Sequence, residues 1–303
     1  MVGSKSNSPW PKVGKKKTAA RPSPKKNQNL RCAARPATNA KMQHRKQPHA
    51  RVLAYANATP TTEIRYLIVD LKELGLVDPA THWYYQSKIV PFERAFHKYS
   101  FQPRTLLDIG AGSGFFAKTI LQLDSNLTAT CVDPNYESEW IENDGRVKFV
   151  KSTKNYSADV YLFVDVLEHV EDDLALLKTY VDNARPGAVI MISVPAFMSL
   201  WSPHDVFVEH FRRYRLKQVE DLVSRANLEL LESRYLFGTI FPIAWLVRKL
   251  KRNASPSSDL ASMPSTVNRV LRFLLKMEHR IPKNEIAGIS IFIVARVKEN
   301  TIR

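Results

Sequence analysis

The sequence predicts an α/β fold: a mostly parallel sheet with helices on both faces. Three observations carry this reading. Short apolar runs alternate with helical stretches from residue 105 to residue 194. One of those runs, Leu106-Leu107-Asp108-Ile109, leads straight into three alternate glycines from which a helix starts. The next run closes on a carboxylate, Asp133, 23 residues after the first glycine. Alternation of this kind builds strand–helix–strand units, and the carboxyl ends of their strands form the binding crevice.

The elements follow in order. Residues 1–58 form a basic extension. The first 62 residues hold 14 Lys and Arg and no acid, so nearly all of the net charge of +16 lies there. Rich in Pro, Ser, Asn and Ala, this stretch has too little apolar surface to offset the entropy of ordering, so disorder is expected. Its composition also fits an organelle-targeting peptide or a patch for anionic lipid or nucleic acid, and those alternatives stay open. The remainder, with 31 basic and 29 acidic residues, is nearly neutral.

A single domain is expected over 59–303, long enough for a sizeable core. Ile64, Leu67, Ile68, Leu71 and Leu74 recur at helical steps, and Gly75 ends that helix. An aromatic helix follows from His82 to Tyr99, with Pro91 expected to kink it. Strands are predicted over 105–109, 127–132, 147–150, 159–164 and 188–194. Helices are predicted over 115–123 and 171–181, with a short helical piece near 136–141. Leu216, Val219, Leu222 and Val223 mark another helix, followed by strands over 228–236 and 289–297. Residues 238–287 form a helical insertion between those last two strands.

Composition excludes several classes. A hydrophobic content of 44% is not that of a wholly disordered chain. The two cysteines, Cys32 and Cys131, supply neither a disulfide framework nor a zinc cluster. A reducing, cytoplasmic setting is the default. No apolar run reaches the ~18 residues of a membrane-spanning helix. The lysine-rich start is not followed by an apolar core, so no secretory signal is expected.

The most informative run is Gly110-Ala111-Gly112-Ser113-Gly114 with Asp108 before it. Glycines let the backbone turn sharply and approach a ligand closely. A loop for a nicotinamide dinucleotide would place its third glycine at the position of Phe115. Here the pattern is G-x-G-x-G, and the acid beside it suits a ligand with an ammonium group and no pyrophosphate.

These residues resemble the class I S-adenosylmethionine-dependent methyltransferases, and the likeness runs from roughly residue 82 to residue 297. The resemblance implies a Rossmann-like, seven-stranded, mostly parallel sheet with an antiparallel last strand, and S-adenosyl-L-methionine as cofactor. It places Asp108 and the backbone of Gly110, Ala111, Gly112 and Gly114 beside the methionine moiety. Asp133, in the run Cys131-Val132-Asp133-Pro134-Asn135, would accept the ribose hydroxyls, with Asn135 or Tyr136 flanking the adenine. An acid for the adenine amino group is missing from 150–154, where Ser152 or a backbone carbonyl would substitute. Asp165, in Asp165-Val166-Leu167-Glu168-His169-Val170, would line the cofactor or the acceptor; that stretch is similar to one in small-molecule members of the class.

The acceptor region is expected after the strand ending at Val194. Trp201-Ser202-Pro203-His204-Asp205 and His210-Phe211-Arg212-Arg213-Tyr214 show no helical or strand period. They are dense in proton acceptors, cations and rings, as functional loops are. The pattern resembles a subset of these enzymes acting on lipid, quinone or glycan-linked acceptors. An acceptor hydroxyl must lose a proton, so His210 is the first candidate base and His204, oriented by Asp205, the second. Arg212 or Arg213 would pair an acceptor phosphate or carboxylate. Without those roles, the same side chains would tie the loop to the sheet. The clustered acids of metal-dependent catechol methylation are missing and no metal is expected. An Asn-Pro-Pro-Tyr-like motif for nucleobase amines is also absent.

Residues 235–252 combine an apolar segment containing Trp245 with a basic flank. That suits either a lid over the acceptor pocket or peripheral contact with a membrane surface. The reading that emerges is methyl transfer, most simply to an oxygen of a small or lipid-linked acceptor. Two rivals remain: a nucleic-acid methyltransferase using the basic tail, and a non-catalytic binder of the cofactor or a partner.

Overall fold

The computed structural model describes residues 77–153, 156–251, 254–259, 264–280 and 283–299. The basic extension and the expected helix around 64–75 lie outside the described residues. Among the described residues, eight strands form one sheet: β1 (Thr105–Ile109), β2 (Thr128–Val132), β3 (Trp140–Glu142), β4 (Val147–Val150), β5 (Val160–Val164), β6 (Val189–Pro195), β7 (Leu228–Leu236) and β8 (Ser290–Val297). Their order is β3-β4-β2-β1-β5-β6-β8-β7. β4, β2, β1, β5 and β6 run parallel, while β8 lies antiparallel between β6 and β7.

The central strands β1, β5, β6 and β8 are apolar runs buried on both sides, as a sheet covered on two faces requires. Their alternation divides the core in two. Leu107, Ile109, Tyr161, Phe163, Ile190 and Ile192 face one way. On that side lie α3 (Asp173–Val181) and α5 (Leu216–Arg225), through Leu176, Leu177, Val219 and Val223. Leu106, Leu162, Val189, Met191, Phe292 and Val294 face the other way. There they meet α1 (Trp83–Tyr99) and α2 (Phe115–Ile120) through Phe92, Phe96, Phe116 and Ile120. Asp108 follows Leu107 and so belongs to the α1–α2 face.

One departure from the sequence reading has a local cause. The piece near 136–141 is not helical: Trp140–Glu142 pairs antiparallel with β4, making eight strands instead of seven. Trp140 lies flat on Phe149 of β4, with centroids 4.2 Å apart and planes 2° apart. That cross-strand contact holds a strand too short to form by itself. As expected, α1 is a helix that contains Pro91. Proline has no N–H for the carbonyl four residues back, that of Ser87. His279, capping α7 (Ser265–Glu278), supplies the hydrogen bond instead, with Nε2 2.9 Å from Ser87 O.

The insertion contains α6 (Phe241–Leu250) and α7. α7 packs on α1, where the Asn268 Oδ1 accepts the Trp83 N–H at 2.8 Å. Glu278 at its end accepts the N–H groups of Gly238 and Thr239 at 2.8 and 2.9 Å, tying α7 to the turn before α6. No helix among the described residues is long and apolar enough to cross a membrane.

Candidate functional site

The chain builds the sheet outward from β1 to β2 and β4, then returns to place β5 on the other side of β1. The crevice outside that switch point is where open α/β sheets bind ligands. A cavity of about 500 Å³ lies there, walled by the β1 and β5 ends, the 202–213 loop and the insertion. Its size is that of a small-molecule site.

Asp108, only 2% exposed, lines the cavity just before the glycine loop. Gly110 has φ +65°, and a Cβ there would stand 2.6 Å from Val166 Cγ2. Gly114 has φ +68°, and its Cβ would meet the Phe149 ring at 2.7 and 2.9 Å. Both positions therefore need glycine for conformation and for space. The N–H groups of Gly110 and Ala111 donate to Val132 O at 2.8 and 3.2 Å, which ties the loop to the end of β2.

Asp133 is 5% exposed and faces the same cavity. Its Oδ1 accepts the backbone and side-chain N–H groups of Asn135, both at 2.9 Å, and its Oδ2 accepts Gly112 N–H at 3.3 Å. The carboxylate is thus held at the loop by fixed donors. Asn135 lines the cavity, while Pro134 between them is half-buried. Tyr136 turns inward: its hydroxyl donates to Gly112 O at 2.8 Å and its ring packs on Trp140 and Phe149. Of the two residues expected to flank the adenine, the cavity wall takes Asn135. At 150–154, Lys151 and Ser152 are exposed and Lys154 lies outside the described residues.

At the end of β5, Asp165 adopts φ +53°, an uncommon conformation for a residue with a side chain. Its Oδ2 accepts Tyr84 OH at 3.1 Å and forms an ion pair with the fully buried Lys88. Lys88 also donates to Tyr84 OH at 2.7 Å. Burial first, then the charge of Asp165, pushes the Tyr84 phenol well above its usual range. Sequence reasoning missed this cluster. The readable signal was a lysine four residues after Tyr84, on the apolar side of the aromatic helix.

The segment after β6 is held by a hydrogen-bond network. A single bridge joins Ala196 to Tyr214, and α4 (Pro203–Phe207) forms one and a half turns between them. Ser202 donates its N–H and Oγ–H to Asp205 Oδ2 at 2.8 and 3.1 Å, closing the start of α4. Asp205 Oδ1 accepts His210 Nδ1–H at 2.8 Å and Arg213 Nε–H at 2.6 Å. Burial acts to raise the Asp205 pKa, but bonds from His210 and Arg213 outweigh it and hold the carboxyl well below the usual range. The carboxylate thus serves His210 directly. Successive helical residues do not face each other, so His204 points elsewhere. Its Nδ1 accepts the Asp259 N–H at 3.1 Å, and burial brings its pKa down to about 4.

Both arginines are engaged within the fold. Arg213, 5% exposed, spends Nε on Asp205 and Nη1 on Ala196 O at 3.2 Å, though it borders the cavity. Arg212 reaches Asp173 at 3.2 Å and Val170 O at 3.0 Å, anchoring the loop to the start of α3. Tyr214 OH reaches the same Asp173 carboxylate at 2.9 Å. Arg212 and Tyr214 thus fix the loop to the sheet.

On the cavity side of His210, its Nε2 stands 3.8 Å from Glu168 Oε1. Glu168 is fully buried yet borders the cavity, and neither carboxyl oxygen has a hydrogen-bond partner among the described residues. Burial, then the nearby Asp165, raises its pKa well above the ordinary carboxylate value. His169 meets His210 edge-on with ring centroids 4.5 Å apart.

A glycine loop without room for Cβ atoms at Gly110 and Gly114, two carboxylates at adjacent strand ends and the histidines of the 202–213 segment thus border one cavity. Residues 82–233 match the methyltransferase-domain family, and the chain belongs to it.

Among curated proteins, an uncharacterized methyltransferase of Mycobacterium sp. (strain JLS) is 28% identical over 114 residues, covering 36% of this chain and 45% of the relative. A ubiquinone biosynthesis O-methyltransferase of Rickettsia typhi is 22% identical over 162 residues, covering 46% of this chain and 64% of that protein. The matched stretches thus span about half the length of these relatives. Similar solved structures include a SAM-dependent methyltransferase from Archaeoglobus fulgidus, with TM-score 0.42, 16% identity, and coverage of 70% of this chain and 94% of the other. Another is a phosphoethanolamine N-methyltransferase 2 from Haemonchus contortus, with TM-score 0.44, 14% identity, and coverage of 77% and 61%.

Proposed function

We propose that the chain methylates an oxygen of a small or lipid-linked acceptor, with His210 as the proton acceptor. The supporting observation is the 2.8 Å bond from His210 Nδ1 to Asp205, which leaves Nε2 toward the cavity beside Glu168. A carboxylate on one ring nitrogen fixes the tautomer, orients the ring and stabilises the imidazolium formed when the other nitrogen takes a proton. His204 is the weaker candidate, because its Nδ1 is engaged by Asp259 and its low pKa makes it a poor base. Arg213 acts by supporting Asp205, where the sequence suggested an anion-binding role.

Asp108 suits the ammonium of the cofactor, and the carboxylate of Asp133 with Asn135 suits its ribose hydroxyls. Gly110, Ala111, Gly112 and Gly114 give the backbone close approach, and Asp165 borders the same space. The bound cofactor supplies an activated methyl group on a sulfonium. The protein's share is then to align the acceptor, exclude water and receive the proton, and alignment alone carries much of the rate.

The apolar acceptor wall favours a lipid-like portion. Ile240, Ile243, Ala244 and Val247 around α6, and Leu271 of α7, border the cavity. The outer side of α6 is exposed at Leu246 and Leu250, and Lys249 sits over the Trp245 ring at 4.8 Å. The same helix can therefore serve as lid and as membrane-surface contact, with a basic flank suited to anionic lipid.

The test is incubation with methyl-labelled cofactor and fractionated cell extract, comparing wild type with His210→Ala. Label should enter a lipid or small-molecule fraction with wild type alone, while calorimetry finds cofactor affinity unchanged in the variant. Label in RNA or protein would overturn the acceptor class, and undiminished transfer by the variant would remove His210 from the reaction.

A further inference from the structure

We propose that Glu168, His169 and His210 form a binding site for a divalent transition cation of the zinc type on the inner wall of the cavity. No such site is legible in the sequence. Its ligands come from the turn after β5 and the loop after β6, and the acids sought near β6 itself are absent.

Each part of the geometry favours a cation. One ring nitrogen from each histidine and a carboxylate oxygen lie within 4.8 Å of one another, with His210 Nε2 and Glu168 Oε1 at 3.8 Å. Zinc binds nitrogen and carboxylate oxygen at about 2.0–2.2 Å, which sets tetrahedral donors about 3.3–3.6 Å apart, so the three side chains would draw together on binding the ion. Glu168 is fully buried, faces the cavity, and has no hydrogen-bond partner on either oxygen among the described residues. Buried carboxylates are ordinarily paired or metal-bound. The buried Lys88 is paired with the neighbouring Asp165, and its charge, like that of Arg213, reaches Glu168 without a hydrogen bond to it.

The outer support matches as well. Asp205 accepts His210 Nδ1–H at 2.8 Å, which aims the Nε2 lone pair inward. A carboxylate behind a ligating histidine orients the ring and raises its basicity. Two imidazoles with one carboxylate select zinc and its neighbours over magnesium or calcium. The remaining coordination position opens on the cavity, as in sites that admit a further ligand.

An ion here would take the nitrogen that proton removal uses, so ion and proton are alternatives at one atom. The binding proposal does not rest on methyl transfer to oxygen and stands or falls by itself.

The experiment uses the full chain stripped with a chelator. It is titrated with zinc chloride by calorimetry, and separately with cobalt(II) followed by visible absorption. Wild type should bind one ion at this site, and Glu168→Gln and His210→Ala should each weaken binding on the order of 100-fold. Circular dichroism and S-adenosylmethionine affinity serve as fold controls. If His210→Ala does not fold, the near-isosteric Glu168→Gln decides. Absence of zinc binding in wild type overturns the proposal. So does binding unchanged in Glu168→Gln, because it puts the ion elsewhere, for example at Cys32 or the histidines of the basic extension.

Discussion

Gly114→Ala tests how tightly the loop is built. Gly114 sits at φ +68°, where a side chain costs about 1–2 kcal/mol. Its Cβ would also stand 2.7 Å from the Phe149 ring and 3.3 Å from Cys131 Sγ. That ring cannot swing aside, because it is fully buried and stacked on Trp140 at 4.2 Å. Overpacking of this kind adds about 1–3 kcal/mol. The expected loss is therefore about 2–5 kcal/mol. Gly145→Ala supplies the control, since Gly145 also has positive φ (+90°) but nothing within 4 Å of the added carbon. It should cost only the conformational part, about 1–2 kcal/mol. Urea unfolding followed by circular dichroism measures both. Equal losses in the two variants would refute the claim that Phe149 closes on the glycine.

Three further outcomes follow from the site. Asp133→Ala should weaken S-adenosylmethionine binding by about 1–3 kcal/mol through lost hydrogen bonds, and unchanged affinity by calorimetry would dismiss the ribose role. Lys88→Met should cost about 3–5 kcal/mol by leaving Asp165 without its buried cation. Adding Asp165→Asn should recover part of that loss, and strict additivity would show the pair to be uncoupled. The third outcome concerns pH. His204 stays neutral in the fold down to about 4, whereas the unfolded ring protonates near 6.5, so the unfolded chain binds more protons between those values. Stability should fall as pH drops through that window, by about 2 kcal/mol at pH 5 from this residue. The buried His279 adds in the same direction. His204→Asn should flatten the profile, and an unchanged slope would show that the ring is not held neutral.

The central strands were readable because each is largely a contiguous apolar run, and β1, β4 and β7 occupy the ranges that the sequence pattern assigns them. The cofactor loop was readable for the same local reason, its strand, glycines, acids and helix being consecutive. β3 was not, because three residues become a strand only through Trp140 stacking on Phe149. The acceptor side was legible in composition but not in wiring. Adjacency in sequence paired Asp205 with His204, while the turn of α4 gave the carboxylate to His210 and Arg213. Lys88 and Glu168 were hidden for a related reason. One is matched, and the other left unmatched, only after segments 77 and 42 residues away have folded against them.

The hydrogen bond from His279 to Ser87 makes the insertion a structural dependency of the first helix. An engineer shortening the chain would see 238–287 as a removable excursion between two adjacent strands. Deleting it would strip the Ser87 carbonyl of its donor halfway along α1, where Pro91 offers no replacement. A minimised version would therefore need Pro91 exchanged for a residue bearing an N–H in the same step.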